Sequence, residues 1–223
     1  MEYKVKILDI EELAPEVKKF IVEKPINYSF KPGQSTIISI NKPGFEKKKR
    51  SFSMTSINKN KELEFIIKIY NDREGITKEI DKLKVGDILL IGIPFGKIEY
   101  KGKGYFIAGG VGIAPFISIF RHLEDDKELD KNFLIYSNRT HKDIVIEKEL
   151  KRMFKNNIKF VLTREEKSGF YNKRIDENFL METVKDFNSY FYICGPRQFV
   201  TDIKEILANI CVKKEKIIFE GMS

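Results

Sequence analysis

Three short segments hold residue types that could do chemistry together. Ala108-Gly109-Gly110-Val111-Gly112-Ile113-Ala114-Pro115 follows an apolar run and opens a helical pattern. Glycines at such a junction let the backbone turn tightly and approach a diphosphate. The helix start then offers unpaired N–H groups and the positive end of a dipole. The spacing is not G-x-G-x-x-G, so a tight strand-to-helix turn without a ligand is the competing reading. Tyr192-Ile193-Cys194-Gly195-Pro196 closes a second apolar run. Ligands of open parallel sheets sit outside the carboxyl ends of the strands, so residues 109–115 and 194–196 are expected to face one crevice. Cys194 would there be a soft group against a planar ring; the commoner role of a free cysteine is a small buried residue. The third segment is Arg50-Ser51-Phe52-Ser53. Its guanidinium is a fork for phosphate oxygens, its ring a flat apolar face, and Ser53 a hydroxyl within reach of a ring nitrogen. Alone, that tetrapeptide is only an alternating strand.

The elements that must position these residues differ between the two halves. Short apolar runs at 3–10, 17–23, 35–40, 50–57, 63–70 and 88–93 are divided by Lys31-Pro32-Gly33, Lys42-Pro43-Gly44 and Val85-Gly86-Asp87. With one helix over 77–83, they predict a small antiparallel barrel. From Gly104 strands at 105–108, 133–136, 158–162, 190–193 and 217–219 alternate with helices at 113–123, 144–154, 176–184 and 197–210. That alternation predicts a parallel sheet with helices on both faces. The expected division is residues 1–100 and 101–223, with Lys101-Gly102-Lys103-Gly104 as a flexible link.

Composition narrows the function. The 223 residues carry 41 Lys and Arg against 33 Asp and Glu, a net charge of +8, which favours an acidic partner. The one dense cationic cluster is Lys47-Lys48-Lys49-Arg50. No zinc-finger or RNA-binding aromatic pattern accompanies it, so no nucleic-acid partner is expected. No apolar run reaches the ~18 residues of a membrane span, the start is strand-like, and a cytoplasmic protein is expected. The two cysteines, Cys194 and Cys211, are too few for an iron–sulfur cluster, and Cys211 is expected in the core. His122 and His141 have no partner at ligand spacing, so no metal is expected.

In their order and placement the segments resemble the ferredoxin–NADP reductase superfamily over nearly the whole chain. Its flavin motif, R-x-[YF]-[ST], is matched by Arg50, Phe52 and Ser53, with Ser51 between them. Gly75-Ile76-Thr77 resembles its second flavin-phosphate segment, and Phe65-Ile66-Ile67-Lys68 its flavin-lining strand. Leu83-Lys84-Val85-Gly86-Asp87 and Gly92-Ile93-Pro94-Phe95-Gly96 resemble its later barrel turns. Residues 109–115 match its G-G-x-G-[IV]-A-P loop, and Cys194-Gly195-Pro196 its C-G-P motif. The resemblance implies an all-β antiparallel flavin-binding barrel followed by an α/β parallel-sheet nucleotide-binding domain.

It also implies roles. Arg50, Gly75, Ile76 and Thr77 would hold the flavin phosphates, Phe52 would pack on the flavin, and Ser53 would bond near its reactive nitrogen. Ile67 and Lys68 would line it. Gly110, Val111, Gly112, Ile113, Ala114 and Pro115 would meet the nicotinamide dinucleotide, with Cys194, Gly195 and Pro196 beside its ring. Glu220 fits the position of the family's C-terminal acid; Met222 stands where plant-type members end in an aromatic, and Ser223 follows it. Phe219 would either cover part of the flavin or be a buried strand residue. Thr163-Arg164-Glu165 and Arg174 resemble segments of NADPH-type members, and Arg139 is a further cation for a 2′-phosphate; the alternative is that all are surface arginines.

The cofactor expected is FAD in preference to FMN, with NADPH favoured over NADH. Ser53, Cys194 and Glu220 would be the catalytic contributors. The implied activity passes hydride from NADPH to FAD, then single electrons to a separate acidic carrier, ferredoxin or flavodoxin, with Lys47, Lys48 and Lys49 as a docking edge. The alternatives are a reductase releasing free reduced flavin, and an electron-transfer subunit of a larger complex.

Overall fold

Val5 and Ile7 are buried while Lys4, Lys6 and Leu8 between and beside them are exposed, a period-two pattern that only a sheet with one covered face satisfies. In a computed structural model, which describes residues 2–72 and 74–222, that pattern recurs around a six-stranded antiparallel sheet. Its strands are β1 (Tyr3–Ala14), β2 (Val17–Glu23), β3 (Ser35–Ile40), β4 (Arg50–Ser53), β5 (Glu62–Lys68) and β6 (Ile88–Ile91), ordered β4-β3-β6-β1-β2-β5. The sheet curls until its edges meet: Met54 bridges to Phe65, and the Thr55 N–H donates to the Glu64 carbonyl at 2.8 Å. Phe20, Ile38, Met54, Phe65 and Leu89 fill the interior. Helix α1 (Ile76–Ile80) closes one end, burying Ile76 and Ile80.

The second half is a five-stranded parallel sheet ordered β11-β10-β7-β8-β9. Its strands are β7 (Gly104–Gly109), β8 (Phe133–Asn138), β9 (Ile158–Leu162), β10 (Tyr190–Pro196) and β11 (Ile217–Met222). Helices α2 (Ala114–Asp125) and α3 (Glu147–Phe154) cover one face; α4 (Glu177–Thr183) and α5 (Arg197–Asn209) cover the other. Burial on both faces explains why β7 is apolar throughout instead of alternating. Phe106 anchors the first face: its ring stacks on Tyr192 at 4.4 Å and meets Phe116 and Phe120 edge-on at 5.1 and 4.9 Å. The chain order reverses direction between β7 and β10, and a crevice forms outside such a switch point.

The structure corrects several expectations. The segment expected as a strand over 50–57 leaves the ladder after Ser53, where the edge turns to pair with β5. The link at 101–104 is not free to flex: the Lys101 and Gly102 N–H groups donate to the Tyr192 hydroxyl at 2.8 and 3.1 Å, and the hydroxyl donates to the Gly102 carbonyl at 2.7 Å. Cys211 is exposed, not in the core, because it follows the end of α5 with φ +63° and turns outward. Ser223 and the side chain of Met222 lie outside the described residues, and with them the comparison to a terminal aromatic. Among the described residues no helix is long and apolar enough to cross a membrane.

Phe106→Ala removes a fully buried ring with aromatic neighbours on several sides. It is expected to destabilise the fold by about 3–5 kcal/mol, measured by urea unfolding.

Candidate functional site

A cleft of about 160 Å³ lies between the barrel and the carboxyl ends of the parallel strands. Strand β4 supplies one wall. As the last strand in the ladder order it keeps Arg50 and Ser51 exposed, with Phe52 and Ser53 half-buried. Ser53 faces Ser35 across the β3–β4 pair, and their hydroxyl oxygens are 3.1 Å apart. Thr77, in the first turn of α1, joins the same wall. From β5 come Ile66 and Lys68; Tyr70 lies just beyond.

The opposite wall comes from the turn after β7. Gly110 adopts φ +53°, a left-handed conformation, and no atom lies within 4 Å of where its Cβ would point. Gly112 is the reverse case: a Cβ there would lie 2.5 Å from the Cys194 carbonyl oxygen and 2.5 Å from the Gly195 Cα. Glycine at 112 lets the turn rest on the β10 backbone. Val111, Ala114 and Pro115 then face the cleft beside Cys194. The parallel register sets Cys194 between Ala108 on β7 and Glu220 on β11.

The floor of the cleft is electrostatically unusual. Burial pushes the Cys194 thiol up, and the nearby Glu220 carboxylate pushes it further. Cys194 is therefore a neutral thiol and not a nucleophilic thiolate. Burial also raises the Glu220 carboxyl above the ordinary carboxylate range, opposed only by Lys97. Glu220 Oε2 is buried with no hydrogen-bond partner. A lone buried acceptor beside a neutral thiol and two hydroxyls suits a partner group that enters the cleft, and the open space over Gly110 suits a close-packed anion. The residues present thus fit a flavin and a nicotinamide dinucleotide.

The cleft unites Arg50, Ser51, Phe52, Ser53, Lys68, Thr77, Val111, Ala114, Pro115, Cys194 and Glu220. The side chains of Ile67, Ile76 and Ile113 are buried in hydrophobic cores, and alternation along β5 puts Ile66 and Lys68 on the cleft. Gly75 keeps open space around its Cα, while Gly195 packs under Phe199. Phe219 does not reach the cleft. Adjacent to Glu220 on the strand, it points to the other face, where Lys204 Nζ lies 3.7 Å from its ring centre. Arg139, Thr163 and Arg164 meet beyond β8 and β9: the Thr163 N–H donates to the Asn138 carbonyl at 3.0 Å and the Arg164 N–H to the Arg139 carbonyl at 2.8 Å. Both guanidiniums are exposed. Arg174 is also exposed, in the loop before α4, and among the described residues no hydrogen bond or ion pair ties it to that pair. Sequence reasoning missed Ser35 and Tyr70, and named Ile66 only within the segment 65–68. The strand pairing that opposes Ser35 to Ser53 was the signal available for the first; the alternation of β5 was the signal for Ile66.

Glu220 gives a pH-dependent test. A carboxyl with a raised folded-state pKa favours the fold below its unfolded value of 4.5, and that contribution is lost as pH rises through the folded value. Glu220→Gln is therefore expected to raise Tm by about 2–4 °C at pH 7.5 and to lose that gain toward pH 4, by calorimetry.

The family model described as an oxidoreductase FAD-binding domain matches residues 4–100, and the one described as an oxidoreductase NAD-binding domain matches residues 106–205. Sulfhydrogenase 2 subunit gamma of Pyrococcus furiosus is 28% identical over 221 residues, 87% of this chain and 74% of that one. The reductase component of propane 2-monooxygenase of Mycolicibacterium smegmatis is 26% identical over 215 residues, 90% of this chain and 61% of that one. The chain thus spans less than two thirds of the second relative. A ferredoxin NADP+ reductase from Neisseria gonorrhoeae, solved with bound FAD and NADP, shares the fold at a TM-score of 0.85 and 22% identity, over 99% of this chain and 98% of that one. Two family models in series, on a barrel joined to a parallel sheet with a shared cleft, make this chain a member of the ferredoxin–NADP reductase-like superfamily, an FAD- and nicotinamide-dependent oxidoreductase.

Proposed function

We propose that the protein takes reducing equivalents from NADPH and delivers them, through FAD, to a separate acidic one-electron carrier such as a ferredoxin or flavodoxin. The observation that carries this reading is the convergence of Ser53, Cys194 and the unpartnered Glu220 carboxyl on one cleft between the two halves. Residues 1–100 hold the flavin and residues 101–223 the dinucleotide. When bound, the two cofactors supply the hydride donor and acceptor; the protein supplies placement and electrostatics. Arg50, Gly75 and Thr77 grip the flavin phosphates, Phe52 packs against the ring system, and the Ser53 hydroxyl orients it. Gly110 and Gly112 give the dinucleotide a close backbone approach, Val111, Ala114 and Pro115 shape its wall, and Cys194 supplies a neutral surface for the nicotinamide. Burial favours the protonated form of the Glu220 carboxyl within the cleft.

Arg139 and Arg164 support NADPH. They are exposed, adjacent, and free of carboxylate partners among the described residues, which suits a terminal phosphate better than a ribose hydroxyl. A second reading is that of an electron-transfer subunit in a larger complex. It is favoured by the likeness to a protein named as the gamma subunit of a sulfhydrogenase.

Anaerobic titration of the purified protein with NADPH and then NADH, following flavin absorbance, tests the donor. Faster bleaching by NADPH is expected, with the preference falling about tenfold in Arg164→Ala. Equal rates, or faster bleaching by NADH, would remove the NADPH reading. A colourless protein that binds no added flavin would overturn the whole assignment.

Around the proposed docking edge Lys49 pairs with Glu2 at 2.5 Å and Lys48 lies 4.5 Å from the Phe45 ring centre, leaving Lys47 the most available charge. Reversing all three to Glu is expected to slow reduction of an acidic carrier about tenfold at low salt, with the difference fading at high salt. An unchanged rate would place docking elsewhere.

A further inference from the structure

One helix carries both the nucleotide wall and the grip on the flavin half. On α2, Ala114 and Pro115 line the cleft. Three more residues on the same stripe, at helical spacing, reach the barrel. Ser118 Oγ accepts the Gly33 N–H at 2.9 Å in a fully buried bond. Asp125 pairs with Lys59 at 2.5 Å at the exposed end. Between them Arg121 makes the most extensive contact. One guanidinium nitrogen donates to the Thr55 carbonyl at 2.9 Å and to Glu64 Oε1 at 2.7 Å; the others form a paired contact with Glu149 of α3 at 2.8 and 3.0 Å.

The barrel side of this contact is not an arbitrary patch. Thr55 lies two residues beyond Ser53. Its N–H donates to the Glu64 carbonyl and its hydroxyl to Glu64 Oε1 at 2.6 Å, so the segment leaving the flavin wall is locked to the carboxylate that Arg121 holds. Arg121 lies seven residues past Ala114, about 10 Å along the helix axis. Rotating α2 about that distant contact moves the nucleotide wall relative to Ser53. The planar fork fixes direction as well as distance, which a lysine or an apolar side chain cannot do.

We propose that Arg121 is a positioning residue for hydride transfer, setting the separation and angle between the Ser53 wall and the Val111–Cys194 wall through Thr55 and Glu64. The inference rests on the site roles proposed above. A purely stabilising ion pair would lower thermal stability and leave the chemical step alone. A positioning contact lowers the rate at saturating nucleotide.

Stopped-flow reduction of the flavoprotein by NADPH and by NADH separates the two. In Arg121→Met the limiting rate is expected to fall about tenfold or more, with half-saturation and flavin content within about twofold of wild type and a weaker long-wavelength charge-transfer band. Arg121→Lys should fall between. Glu149→Gln cuts only the contact inside the nucleotide half and should keep the limiting rate within about twofold whatever its Tm. A limiting rate in Arg121→Met equal to wild type, or a loss that Glu149→Gln reproduces, would overturn the proposal. If Arg121→Met fails to fold, Arg121→Lys and Glu64→Gln carry the same comparison under the same criteria. A wild-type protein that neither nucleotide reduces would instead overturn the oxidoreductase reading itself, a failure distinct from that of the contact.

Discussion

There is no room for a Cβ at residue 112. The Cys194 carbonyl oxygen and the Gly195 Cα occupy that space, so the turn leaving β7 lies directly on the backbone of β10. Much of the site follows from this contact. It brings Val111 beside Cys194. It directs α2 away from the switch point, with Ala114 and Pro115 facing the barrel. The register of β10 with β11 then fixes Glu220 next to Cys194. Even a methyl group at 112 would have to move backbone, not a flexible side-chain end, and packed backbone yields little.

The two halves meet through polar contacts as well as apolar ones. Ala14, Val17, Ile66 and Ile98 from the barrel half join the core that α2 and β7 build, and the buried Ser118–Gly33 bond crosses the same boundary. Gly33 has φ +91°, and a Cβ there would lie 2.5 Å from the Ile98 carbonyl oxygen, so a second glycine permits a second close approach. The Tyr192 hydroxyl holds the connecting segment from the parallel sheet side. A reaction that needs two bound groups at fixed separation demands such a boundary, because small misplacements are costly.

Much of the architecture was legible because its causes are local. The alternation of β1 and β2, the uniformly apolar β7 and the strand–helix rhythm after Gly104 each follow from burial on one face or on two. That Arg50, Ser53 and Cys194 share one cleft was legible because their segments are short and ordered. The side-chain burial of Ile67, Ile76 and Ile113 was less legible: a motif marks a stretch of chain, but which of its side chains turns inward is decided by the pleat or helix phase. The sequence leaves Phe219, one step of the pleat from Glu220, open between flavin cover and burial; it lies exposed under Lys204. Ser35 enters the site only through its pairing with Ser53, a non-local fact. Arg121 has no motif at all; its meaning comes from Thr55, Glu64 and Glu149, which lie 66, 57 and 28 residues away in sequence.

Charge is distributed unevenly around the cleft. Lys68 lines the cleft itself and Lys97 acts on Glu220, while further cations stand at the margins: Arg50 at the start of β4, and Arg139 and Arg164 beyond β8 and β9, on the far side of the sheet from β11. The floor, by contrast, holds a neutral thiol, two serine hydroxyls and a carboxyl whose burial favours its protonated form. Anionic groups are thereby favoured at the ends of the cleft. Glu220 bears the cost of that arrangement, because a buried acceptor without a partner destabilises the fold until something enters to satisfy it. The unsatisfied atom lies beside Cys194, where the register of β10 and β11 converges with the turn that Gly112 permits, so the unmet acceptor sits on the wall that both sheet strands and the turn build together.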